Sequence, residues 1–112
     1  MQLDKLCVAC FSPTHTSMKI ARAIADGTRI ARREEIDLTT APADTPIAVR
    51  NAICIVAAPV YGGLVAPVAV RRIARLRAEN SIAIPVVVYG NRDYEDALVQ
   101  LRDLLHAQGF TP

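Results

Sequence analysis

The chain has 112 residues, enough for one domain, and its 52% hydrophobic and 21% charged residues can fill a core, which excludes a disordered tail. A net charge of +2 is too small for a nucleic-acid surface, and three cysteines, an odd number, argue against a disulfide scaffold and for a reducing, cytoplasmic setting. No apolar run approaches the roughly 20 residues of a membrane span and no basic-then-apolar leader precedes the first strand, so neither membrane insertion nor secretion is expected.

The first apolar run, Leu6 to Phe11, ends at a polar loop, Ser12 to Ser17. Helical spacing follows, with Ile20 and Ile24, and Ala21 and Ala25, sharing one face and Gly27 in the left-handed position just past the helix. A weaker second strand runs from about Arg29 to Leu38, and its charged middle, Arg32 to Glu35, suits a sheet edge. Thr39 to Arg50, with Pro42 and Pro46, reads as a loop with room for one helical turn. Ala52 to Ala58 is apolar throughout, as in a strand covered on both faces. Pro59 to Ala66 reads as a loop, and Pro67 opens a helix to about Glu79. Ile82 to Tyr89 is the fourth strand, with Pro85 marking its start or an edge. Asp93 caps a last helix, from about Tyr94 to Gln108, with a core stripe of Ala97, Leu98, Leu101, Leu104 and Leu105, and Gly109 ends it. Alternating strands and helices give an α/β fold of parallel strands joined by right-handed crossovers.

In an open parallel sheet, ligands bind beyond the carboxyl ends of the strands. The loops there read Ser12-Pro-Thr-His-Thr-Ser17, Pro59-Val-Tyr-Gly-Gly63 and Tyr89-Gly-Asn-Arg-Asp-Tyr94. Hydroxyls in the first loop, leading into a helix near Thr16, favour a phosphate; the plainer reading is ordinary capping. All three tyrosines, Tyr61, Tyr89 and Tyr94, fall in or beside the two later loops. A tyrosine offers a flat apolar face and a hydroxyl for the wet side, which suits a planar ligand, the alternative being amphipathic rim residues.

These three motifs, with Phe11 ahead of the first, resemble the flavodoxin family over nearly the whole chain, and most of all the flavodoxin domains that accompany iron–sulfur ferredoxin modules. The resemblance implies a flavodoxin-like three-layer sandwich with a parallel sheet in the order 2-1-3-4. It also implies a non-covalent FMN site. Ser12, Thr14, Thr16 and Ser17 would hold the phosphate with the backbone N–H of His15, and Pro59, Val60 and Gly63 would complete the second loop around Tyr61 and Gly62. The flavin ring would lie between Tyr61 and Tyr94, with Gly90, Asn91 and Arg92 giving backbone contacts near its pyrimidine edge. Gly62 matches the position whose peptide turns over on flavin reduction, offering a carbonyl to the protonated N5. His15 stands where such loops commonly have glycine.

The family fold has a fifth strand and a closing helix. Residues 1–112 are therefore expected to be a single flavodoxin-like domain truncated at its carboxyl end, with Phe110 as the first core residue of the fifth strand. The fourth strand would keep an open edge, a seam for a homodimer. Implied partners are a redox protein or a fused ferredoxin-like module, with no nucleic acid and no membrane.

Other chemistries are not supported. Cys10 precedes a loop and helix as a tyrosine-phosphatase nucleophile does, but the phosphate-clamping arginine six residues on is Thr16 here. Cys7 and Cys10 face opposite sides of a strand, which argues against a redox pair or metal site, and Cys54 reads as core. A receiver domain would need acidic residues at Phe11-Ser12 and Pro59-Val60. Arg71, Arg72, Arg75 and Arg77 read as a solvated helical face, and His106 complements a helix carboxyl end. Two functions remain: an FMN-binding electron-transfer domain, or a flavodoxin-like interaction module of a larger redox protein without stable FMN binding.

Overall fold

The computed structural model describes residues 5–11, 16–39, 46–61, 64–65, 67–88 and 95–111. In chain order its elements are β1 (Lys5–Cys10), α1 (Thr16–Thr28), β2 (Arg32–Asp37), β3 (Ile47–Arg50), β4 (Ala52–Tyr61), β5 (Leu64–Val65), α2 (Pro67–Ile73), β6 (Leu76–Glu79), β7 (Ile82–Val88) and α3 (Glu95–Ala107). The four main strands expected from the sequence are β1, β2, β4 and β7. They are parallel and lie in the expected order, β2-β1-β4-β7.

Alternation along β1 sorts the core into two layers. Leu6, Val8 and Cys10 meet Met18, Ala21 and Ala25 of α1 on one face. Cys7, Ala9 and Phe11 share the other face with Ala69 and Ile73 of α2 and with Ala97, Leu101 and Leu105 of α3. The result is a helix–sheet–helix sandwich. Cys54 to Ala58 of β4 are fully buried, as an apolar strand between two layers of helices must be. β2 takes the edge, where its charged side chains stay solvated. Lys5–Glu34 at 2.8 Å and Arg33–Asp26 at 2.6 Å tie it to β1 and α1. Among the described residues no helix is long and apolar enough to cross a membrane.

Two short strands replace segments that read as loop and helix. β3 lies in the expected 39–50 loop, and β6 takes the last four residues of the expected 67–79 helix, so that α2 stops at Ile73. Each is the bent forward extension of a main strand, joined to it through an asparagine in the left-handed region. Asn51 (φ 53°) joins β3 to β4, and Asn80 (φ 52°), with Ser81, joins β6 to β7. Asparagine enters that region more easily than other side-chain-bearing residues. β3 and β6 pair in parallel as a second small sheet, with Val49 and Leu76 buried. Asn80 Nδ2 donates to Asn51 Oδ1 at 2.8 Å across the two bends.

Buried polar contacts knit this end. The Ser81 hydroxyl accepts the Ala52 N–H at 3.2 Å and lies 3.0 Å from the Glu79 carbonyl oxygen, to which it donates. Gln108 Nε2 donates to the Ala74 and Leu76 carbonyls at 2.6 and 2.8 Å, and the Ala78 N–H donates to the Gln108 carbonyl at 2.9 Å. Gly109 takes φ 100°, and a β-carbon there would stand 2.4 Å from the Ala78 carbonyl oxygen, so only glycine fits. Phe110 is buried, and Thr111 pairs in parallel with Ile82 on the outer edge of β7. The Ala83 N–H donates to the Thr111 carbonyl at 3.0 Å. By strand alternation the nitrogen of Pro85 faces the same outer edge, away from β4, which is where a proline without a donor can sit inside a strand.

Four further expectations change. Gly27 lies inside α1, and Arg29 takes the left-handed position instead (φ 57°). There the Thr28 hydroxyl donates to the Ala25 carbonyl at 2.7 Å and accepts the Ile30 N–H at 3.3 Å. Ile20, Ile24 and Leu98 flank their helices and are exposed, because smaller residues beside them, Ala21, Ala25 and Ala97, make the closest approach to the sheet. Arg75 is buried in the turn after α2 and Arg77 lies on β6, so the four arginines do not form one helical face. Pro59 to Tyr61 extend β4, and Leu64 and Val65 form β5, where a loop is expected.

Candidate functional site at the carboxyl edge

The carboxyl ends of β1, β4 and β7 lie side by side, because β4 pairs with both neighbours. They do not end level. Cys10 of β1 is opposite Ala57, and Val88 of β7 is opposite Pro59, while β4 runs on to Tyr61. At about 3.3 Å per residue, β4 overshoots β1 by about 13 Å and β7 by about 7 Å. β5 folds back antiparallel on this overhang, with Val60 opposite Val65 and Tyr61 opposite Leu64. The resulting ridge rises from the strand that lies between β1 and β7. The Val65 N–H, buried, donates to Oε1 of Gln100 in α3 at 2.8 Å.

Each of the three segments leads from a strand to a helix: residues 11–15 to α1, the 59–66 segment to α2, and 89–94 to α3. α1 begins at Thr16, and Ser17 is buried in its first turn. No acidic residue occupies that turn, so the positive end of the helix dipole meets no built-in counter-charge from its own first turn. Pro59 and Val60 are half-buried on the overhang, and Tyr61 is its last residue. Ser12, Thr14, His15, Gly62, Gly63, Gly90, Asn91, Arg92 and Tyr94 lie outside the described residues. The topology thus sets the carboxyl ends of β1, β4 and β7, after which the three motifs follow in the sequence, side by side on one edge of the sheet. Sequence reasoning missed β5 and Gln100. The signal for the hairpin was the Gly62-Gly63 pair between Val60-Tyr61 and Leu64-Val65.

Beside this edge, α1 and β2 enclose a groove of about 430 Å³ lined by Met18, Lys19, Arg22, Glu35 and Asp37. The Arg22 guanidinium forks onto Glu35, Nε to Oε2 at 2.9 Å and Nη2 to Oε1 at 2.8 Å, and this bond holds the carboxyl below its ordinary range. Asp37 accepts the Thr39 N–H at 2.8 Å. Burial, and then the nearby Asp37 charge, push the Cys10 thiol up to about 12, so it stays protonated at neutral pH and is no nucleophile. Cys7 and Cys54 face each other across β1 and β4, both buried and free. The hydrogen bond between their thiols draws Cys7 down and Cys54 up. Among the described residues no group of three or more His, Cys, Asp or Glu side chains could hold a metal ion.

No protein-family profile matches the chain, and no curated protein sequence does. Solved structures do match. An NADH:FMN oxidoreductase in its apo form superposes over 95% of this chain and 70% of its own, with TM-score 0.73 and 21% sequence identity. The chain has a flavodoxin-like fold. The rubredoxin oxygen:oxidoreductase of the anaerobe Desulfovibrio gigas superposes over 97% of the flavodoxin-like chain with TM-score 0.63 and 18% identity. The chain spans only 28% of that protein's length.

Proposed function

We propose that this flavodoxin-like chain is an FMN-binding electron-transfer domain. The observation that carries the reading is the adjacency of the carboxyl ends of β1, β4 and β7, from which the three motif segments leave and where an open parallel sheet receives its ligand. The donor set fits the group. Hydroxyls of Ser12, Thr14, Thr16 and Ser17 precede or open a helix whose first turn holds no acid, which suits a phosphate dianion. Tyr61 and Tyr94 supply flat faces for the ring from the segments on either side of it, and Gly62, Gly90, Asn91 and Arg92 supply backbone groups for its polar edge. The similarity to an NADH:FMN oxidoreductase supports the same cofactor.

When bound, FMN supplies a ring that takes up and returns one or two electrons, so the chain itself needs no acid, base or nucleophile. Its residues bind the phosphate, hold the ring between aromatic faces and keep water from part of it. The three free thiols, all buried, agree with a reducing compartment such as the cytoplasm. The electron partner in this reading is a redox protein or a ferredoxin-like module fused to the domain.

An absorption spectrum of the purified chain, followed by a fluorescence titration with FMN, tests this. A bound-flavin spectrum, or saturable quenching at micromolar FMN or below, is expected. Unquenched fluorescence across the titration would leave the interaction-module reading in its place.

A further inference from the structure

β5 is only two residues long, and a hairpin with so short a ladder does not hold its own geometry. Its inner edge is satisfied by β4. Its outer edge presents the Val65 N–H, which is buried and needs an acceptor, since a buried amide left without one costs about 1–3 kcal/mol. That acceptor is a side chain, Gln100 Oε1 at 2.8 Å, reaching from α3. Ala97 and Leu101, either side of Gln100 on α3, are fully buried against the sheet, so the helix that carries the amide is itself fixed. Gln100 is half-buried at the border of that apolar stripe, a position where leucine would serve packing equally well.

α3 is also the helix that leads out of the 89–94 segment. One glutamine therefore joins the ridge bearing Tyr61 to the helix that follows Tyr94 in the chain, the two tyrosines that the FMN reading sets on either side of the ring. We propose that Gln100 is a positioning residue of the flavin site: through the Val65 amide it fixes the separation between the β4–β5 ridge and the α3 side. The inference rests on the FMN reading for its functional consequence, while the tie itself stands on the hydrogen bond.

The test compares the full chain with Gln100→Leu, which removes the acceptor in a similar volume, and Gln100→Glu, which keeps an oxygen at the same reach. Three readouts are taken: hydrogen exchange of the Val65 amide without FMN, FMN affinity by fluorescence quenching, and the midpoint potential of bound FMN. Gln100→Leu is expected to speed exchange at Val65 while leaving Ile55 and Leu101 protected. It should weaken FMN about fivefold, the equivalent of one net hydrogen bond, and shift the midpoint potential. Gln100→Glu should recover Val65 protection and most of the affinity. Unchanged exchange, affinity and potential in Gln100→Leu would overturn the proposal, as would an equal loss in both variants. A wild-type chain that does not bind FMN would overturn the functional reading instead, and Val65 exchange would still decide whether Gln100 holds the ridge.

Discussion

At the amino end of the main sheet the chain closes on itself. Ser81, Gln108 and the Asn51–Asn80 pair meet backbone and one another there, and Gly109 passes against the Ala78 carbonyl with no room for a methyl group. At the carboxyl end the same strands stop at uneven heights and hand hydroxyls, glycines and tyrosines to connecting segments. One end meets its polar groups internally, and the other carries the segments that the FMN reading assigns to a ligand. On the FMN reading the contrast predicts that stability and binding separate by position along β4 and β7, so substitutions at one end should leave the other end's property nearly untouched.

Gly109→Ala is the severest way to test that division. The β-carbon meets backbone rather than a flexible side chain, and the φ of 100° is itself unfavourable. A loss of about 3 kcal/mol is expected in urea unfolding, and a loss below about 1 kcal/mol would mean that the 108–111 segment shifts freely. Ser81→Ala should follow at about 1–3 kcal/mol, since the buried Ala52 N–H then loses its acceptor. FMN affinity measured on the folded variant should stay at the wild-type value, and a parallel loss of affinity would break the separation.

Tyr94→Ala is the converse case. It should weaken FMN about tenfold, as loss of one stacking face does elsewhere, while moving the unfolding free energy by less than about 0.5 kcal/mol. Arg72→Ala, on α2, should change FMN affinity by no more than about twofold. Equal affinities in the two variants would remove the stacking argument.

The smallest effect belongs to neither end. Glu35, held down by Arg22, contributes stability that is present above its ordinary value of 4.5 and is lost as pH falls through the depressed folded value. The pair is solvent-exposed, so Glu35→Gln should cost less than about 1 kcal/mol at neutral pH. That difference should vanish in acid. A penalty that persists there would point to packing rather than charge.

The main sheet was legible because its strands carry local signals. Ala52 to Ala58 is too uniformly apolar for anything but a strand covered twice, and Arg32 to Glu35 is too charged for anything but an edge. β3 and β6 were not legible. Four residues such as Leu76-Arg-Ala-Glu79 alternate too briefly to compete with helical spacing, and they are strands only because the bends at Asn51 and Asn80 bring them together. The same holds at the ridge: Gly62-Gly63 signals a turn, but nothing in the sequence connects Val65 with Gln100, thirty-five positions away. Place after each strand points to the three segments, and the roles of their residues come from the resemblance of those segments to flavodoxin motifs. What the sequence alone could not supply is the unevenness of the strand ends, which depends on register.

Pro85 has a consequence for the company this molecule keeps. Past Thr111 the outer edge of β7 is a ladder with a rung missing: any strand laid along it in the Thr111 direction finds no donor at the ring nitrogen. A specific strand with compensating contacts can accept that loss once. A second copy pairing edge to edge along it would forgo the same bond, so Pro85 lowers the pairing tendency of a strand otherwise rich in isoleucine and valine.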